Sequence, residues 1–138
     1  MNQNDPPTEH ILACLSSSPS NAKIVRTAAT MAKAFGGTFT ALYVRTPDSD
    51  QMGKEDCRRL QQHIRMAEQA GADISTIYGD DIPQQIAEFA RISGITKIVL
   101  GRSSVHRRHF WSGSSLTEKL TMTAPNLDIY IIPDASAE

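Results

Sequence analysis

The chain has 138 residues, 40% of them apolar and 21% charged, which is enough for one domain with a single core and far from the composition of disordered chains. Fourteen Lys and Arg stand against fifteen Asp and Glu, a formal net charge of -1, so the surface as a whole is not built to hold a nucleic-acid polymer or an anionic membrane, and any anion site has to be local. Cys14 and Cys57 are too few for a disulfide framework, and the sequence has neither a leader pattern nor a long apolar run, so the expectation is a reduced, cytoplasmic domain that does not itself insert into a membrane.

Met1 to Glu9 holds two prolines, two asparagines and no apolar period, and reads as a disordered lead-in. From His10 to Pro133, short apolar runs alternate with helical-period segments, the pattern of βα units around a parallel sheet, and residues 134–138 read as a tail. The expected strands are Ile11 to Leu15, Thr38 to Arg45, Asp73 to Tyr78, Lys97 to Gly101 and Leu127 to Ile132. The fourth and fifth are the most continuously apolar, which points to central positions. Right-handed crossovers with one reversal at the first strand give the order 3-2-1-4-5 with helices on both faces.

The first expected helix is capped by Ser18 before Pro19, buries Ile24, Ala28, Met31 and Phe35, and closes at Gly36-Gly37. The second carries Cys57, Leu60, Ile64 and Ala67 inward and ends at Gly71, which makes Cys57 a core residue and turns His63 to solvent. In the third, Asp81 caps, Pro83 fills the first turn, Ile86, Phe89 and Ala90 face inward, and Gly94 closes. The fourth opens at Gly113-Ser114-Ser115, where Ser115 and Glu118 have capping-box spacing and Leu116 and Leu120 form the apolar face. Between strand four and this helix, Arg102 to Ser112 forms a long basic loop with His106, Arg107, Arg108 and His109, and no carboxylate occurs between Glu88 and Glu118. Its length and scarcity of apolar anchors predict a mobile, functional segment.

Motifs for catalysis are missing. There is no phosphate loop of the G-x-x-x-x-G-K-[ST] type, no G-x-G-x-x-G, no H-E-x-x-H and no G-x-S-x-G, and His106 with His109 lacks the further ligands of a metal shell. No catalytic residue, metal or required cofactor is therefore expected. A ligand site is expected beyond the carboxyl ends of the strands, where Ser16-Ser17-Ser18, the strand Phe39-Thr40-Ala41-Leu42-Tyr43, and Gly101 to Ser115 converge. Two helix starts with serine hydroxyls suit phosphate. Phe39 or Tyr43 could stack on a base, although alternation makes at least one of them ordinary core, and Ser18 and Ser115 could equally be caps alone.

These residues carry a resemblance. EHILACLSSSPSNAKIVRTAATMAKAFGGTFTALYV, GDDIPQQIAEFAR, TKIVLGRSS and GSSLTEKL make the chain resemble the universal stress protein family over about His10 to Pro133, and more narrowly the stress-protein-like domain of the KdpD-type membrane sensor histidine kinases. Some of those kinases bind cyclic di-AMP through S-x-S, twenty residues, then F-T-A-x-Y. Ser16-Ser17-Ser18, residues 19–38, and Phe39-Thr40-Ala41-Leu42-Tyr43 match without a gap. The resemblance implies a cytoplasmic, non-catalytic sensory domain in potassium and osmotic signalling, part of a kinase in the bacterial inner membrane whose catalytic core lies elsewhere. Its implied partners are a small nucleotide, other domains of that kinase, and a second copy in a homodimer. The implied ligand residues are Ser16, Ser17, Ser18, Phe39, Thr40, Ala41, Tyr43, Gly101, Arg102, Ser103, Gly113 and Ser114, with cyclic di-AMP as ligand. Two alternatives stand beside it: an ATP- or AMP-binding stress-protein module, and a ligand-free interaction domain. Against ATP, Ser16 stands where ATP-binding members carry Asp, Gly101-Arg102-Ser103-Ser104 replaces the first glycine pair of their loop, and Gly113-Ser114 falls one residue early.

Overall fold

The computed structural model describes residues 8–16, 18–19, 21–102 and 115–133. Five strands, β1 (His10–Cys14), β2 (Thr38–Arg45), β3 (Asp73–Tyr78), β4 (Lys97–Gly101) and β5 (Asp128–Ile132), form one parallel sheet in the order β3-β2-β1-β4-β5. The order and the parallel pairing are those the sequence predicts. β4 is buried at every position, as a strand covered on both faces must be. β5 is not central. It pairs only with β4, at the edge of the sheet, and leaves Tyr130 and Ile131 partly exposed.

Four α-helices lie wholly among the described residues: α1 (Asn21–Phe35), α2 (Lys54–Gln69), α3 (Ile82–Ile92) and α4 (Leu116–Thr123). Strand alternation sorts the core into two layers. Ile11, Ala13, Phe39, Ala41 and Val99 pack on Ile24, Val25 and Ala28 of α1 and Leu60 and Ala67 of α2. Leu12, Leu42, Ile98 and Leu100 pack on Ile86 and Ala90 of α3 and Leu116 and Leu120 of α4. The domain is therefore a helix-sheet-helix sandwich, and the crevice between the two helical layers lies along the strand ends.

Two helices are phased differently from the expectation. α1 begins at Asn21, not at Ser18: Pro19 lies in a turn in which the Asn21 N–H donates to the Ser18 carbonyl at 3.0 Å. Its buried face is Asn21, Ile24, Val25, Ala28 and Ala32, so Phe35 rides out to 50% exposure. On α2 the buried stripe is Leu60, His63 and Ala67. Cys57 is exposed and His63 is buried, the reverse of the expected pair, because the helix is rotated so that the i+3 residue after Leu60 points inward. The other signals hold. Asp81 accepts from the Gln84 N–H at 3.1 Å, Ser115 and Glu118 close a capping box, and Gly36, Gly71 and Gly94 have φ of 66°, 94° and 67° where α1, α2 and α3 end.

At the amino ends of the strands a polar cluster fixes the chain's entry. Lys97 Nζ lies 2.8 Å from Asp128, 3.6 Å from Glu9 and 4.9 Å from the centre of the Phe35 ring, while Thr96 donates to Glu9 at 2.7 Å. Lys97 is buried, and two carboxylates with an aromatic face compensate its desolvation.

Candidate functional site

The sheet order reverses at β1, so successive connections leave for opposite faces and a gap opens over the carboxyl ends of the strands. A crevice of about 460 Å³ occupies that gap. Its walls come from the β1–α1 connection (Cys14, Leu15, Ser16, Ser18), the end of β2 and the turn after it (Tyr43, Thr46, Ser49), and the starts of α3 and α4 (Pro83, Leu116). Its size falls within the range of small-molecule sites.

Of the twelve expected site residues, the crevice brings together Ser16, Ser18 and Tyr43. Phe39 and Ala41 do not join them. Both are buried beneath α1, and Phe39 lies four residues before Tyr43, about 13 Å back along the strand. Thr40 is half-buried on the opposite face of β2, Gly101 is buried at the end of β4, and Arg102 is exposed just beyond it. Ser17, Ser103, Gly113 and Ser114 lie outside the described residues, as does the basic loop from 103 to 112 with Trp111.

Ser16 sits in a dense network. Its N–H donates to Asn21 Oδ1, and its Oγ accepts from Asn21 Nδ2 and from the Ser18 N–H, both at 3.1 Å. His63 Nδ1 lies 3.2 Å from the Ser16 carbonyl. A carbonyl only accepts, so the imidazole proton is on Nδ1. Burial pushes the His63 pKa below its ordinary 6.5; the bond to Ser16 opposes that shift and Arg59 adds to it. Sequence reading missed Asn21 and His63. The helical phase contained both, since Asn21 is three before Ile24 and His63 three after Leu60, but polar residues were not weighed as members of a buried stripe.

Among the described residues lining the crevice there is no Lys or Arg, while Asp48 and Asp56 both line it. Asp56 is paired with Arg59 at 3.3 Å. Neutral hydroxyls and backbone donors therefore provide what this part of the site offers an anion. Cys14 borders the same space, and burial pushes its pKa up to about 12, so it stays a thiol rather than a nucleophilic thiolate near neutrality. No group of three or more His, Cys, Asp and Glu among the described residues is placed to hold a metal, and no helix among them is long and apolar enough to cross a membrane.

A three-layer α/β domain with its crevice at the sheet's switch point is the fold of a stress protein, and residues 7–125 match the universal stress protein family; the chain belongs to that family. Solved relatives agree in fold. A universal stress protein crystallised in complex with cAMP has a TM-score of 0.67 at 15% identity, covering 94% of this chain and all of that one. The universal stress protein from Archaeoglobus fulgidus in complex with dAMP scores 0.56 at 19% identity, covering 91% of this chain and 98% of that one.

Within the family, the chain is similar to the sensor protein KdpD. It is 36% identical over 134 residues to KdpD of Clostridium acetobutylicum, which is 94% of this chain and 14% of that protein. It is 29% identical over 122 residues to KdpD of Escherichia coli, 88% of this chain and 13% of that protein. The chain thus spans less than one sixth of the length of these relatives.

Proposed function

We propose that this domain is a non-catalytic nucleotide sensor of a KdpD-type histidine kinase and that cyclic di-AMP is its ligand. The observation that carries the reading is the convergence of Ser16, Ser18 and Tyr43, from both halves of the spaced serine and aromatic pattern, on one switch-point crevice. Serine hydroxyls and nearby helix starts suit phosphate oxygens, and Tyr43 offers a ring for a base. The kinship with KdpD supports a regulatory role, in which ligand binding biases a kinase core carried elsewhere in the parent protein on the cytoplasmic side of the membrane. A ligand shifts that balance only by its differential affinity for two states of the kinase, so the domain's contacts with its neighbours in the parent chain have to differ between them.

The competing reading is a mononucleotide module. The structural relatives solved with cAMP and dAMP favour it, and a second copy binding through the exposed β5 edge would be a third, ligand-free role. Calorimetric titration of the domain with cyclic di-AMP, ATP and AMP separates them. Tightest binding of cyclic di-AMP, weakened about threefold to a hundredfold by Ser16→Ala, is the expected result. Preference for ATP or AMP, or binding of none, overturns it.

A further inference from the structure

Asn21 and His63 do not line the crevice, yet between them they occupy every backbone hydrogen-bonding group of Ser16, which does. Asn21, 3% exposed at the first residue of α1, grips Ser16 twice: its Oδ1 takes the backbone N–H and its Nδ2 donates to the hydroxyl oxygen at 3.1 Å. His63, 6% exposed on α2, donates to the Ser16 carbonyl. A buried amide and a buried imidazole are costly tenants of a core face that is otherwise Ile24, Val25, Ala28, Leu60 and Ala67, unless their hydrogen bonds are all placed.

The polarity of the network has a chemical consequence. A hydroxyl has two lone pairs and one proton. The Ser16 oxygen already accepts from Asn21 Nδ2 and from the Ser18 N–H, so its lone pairs are used and its proton is the capacity that remains. We propose that Asn21 and His63 are positioning residues, His63 holding the Ser16 backbone and Asn21 fixing its hydroxyl as a hydrogen-bond donor to the crevice, which favours a ligand group that accepts, such as a phosphate oxygen, over one that can only donate, such as an ammonium or a metal cation. The claim about the ligand rests on the nucleotide reading above; the claim about positioning does not.

The test has an arm with ligand and an arm without. In the ligand-free domain, Asn21→Ala should speed hydrogen exchange of the Ser16 amide at least tenfold relative to core amides of β4, and the His63 ring nitrogens should show the Nδ1-protonated tautomer by NMR. With cyclic di-AMP and AMP as probes, His63→Leu should weaken binding about tenfold while His63→Asn, which keeps an N–H near the Nδ1 position, restores it. In a Ser16→Ala background His63→Leu should then cost little more, because both changes act through one hydroxyl. Unchanged exchange at Ser16, the Nε2-protonated tautomer, losses that add, or a folded His63→Leu domain that binds as the parent does each overturn the positioning role. If the parent binds neither probe, the nucleotide reading falls, and the exchange and tautomer measurements still decide the positioning claim.

Discussion

His63 on α2 donates from Nδ1 to the carbonyl of Ser16, 3.2 Å away and 47 residues earlier in the chain. The bond ties the second helix to the connection that carries the candidate site, and the burial of His63 there, which outweighs the opposing effect of the bond, makes stability depend on pH. With its folded pKa below the ordinary 6.5, His63 takes up a proton more readily in the unfolded chain. The unfolded state therefore binds more protons between the two values, and the contribution of neutral His63 is fully present above 6.5 and lost as pH falls through the folded pKa. Thermal midpoints measured from pH 8 to pH 5 should be level at the top and decline below about 6.5, and His63→Asn should remove part of that decline. Equal slopes in the two proteins would show that His63 is not the group responsible.

The two thiols should report the same inversion of α2. Cys57 is exposed, its Sγ 3.7 Å from the Met52 carbonyl, whereas Cys14 is held protonated by burial at the end of β1. A thiol reagent at pH 8 should label Cys57 within minutes and Cys14, which borders the crevice but is held as the thiol, much more slowly. Mass spectrometry of the labelled peptides reads this directly; equal rates would place Cys57 back in the core.

Gly36 and Gly37 look alike in the sequence as a helix stop, but they do different work. Gly36 supplies a φ of 66° and a Cβ there would meet nothing, so Gly36→Ala should cost only backbone strain, about 1 to 2 kcal/mol. At Gly37 a Cβ would overlap the Glu9 carbonyl, the acceptor for the Thr38 N–H at 3.0 Å that begins the β1–β2 pairing. Gly37→Ala has to push those backbones apart and should be the more damaging of the two by at least about 1 kcal/mol. Urea denaturation of both variants measures the difference, and equal midpoints would be the contrary outcome.

The strands and their order were legible because a parallel sheet buries both faces of its strands, and only short apolar runs between helical patterns satisfy that. Thr38–Arg45, Asp73–Tyr78 and Lys97–Gly101 begin and end where the sequence places them. Apolar content did not tell β5 from a central strand, since an edge strand still needs one buried flank. The site was half legible. Serines after β1 and an aromatic at the end of β2 announce themselves, but Asn21 and His63 are polar residues in apolar phase, and only the fold shows that 47 residues of chain close to bring His63 onto Ser16. Ser18 before Pro19 imitates a cap, but α1 begins at Asn21, whose N–H meets the Ser18 carbonyl.

The aromatic half of the pattern divides into two jobs, and one pair of substitutions separates them. Phe39, 5% exposed, packs in the core under α1, and its position near the start of β2 keeps it about 13 Å from the crevice end of that strand. Tyr43 lies on the same face of the strand, but at the crevice wall. Phe39→Leu should therefore lower stability by about 1 kcal/mol through imperfect packing and leave nucleotide affinity of the folded domain unchanged. Tyr43→Leu keeps an apolar side chain against the core but removes the ring, and loss of a base-stacking contact worth about 1 to 3 kcal/mol predicts an affinity about fivefold to 150-fold weaker. Melting curves and calorimetry on both variants test the split. An affinity loss in Phe39→Leu equal to that in Tyr43→Leu would mean that the strand acts as one unit on the ligand and that the core position of Phe39 transmits to the site, whereas unaltered binding in Tyr43→Leu would move base recognition away from β2 altogether.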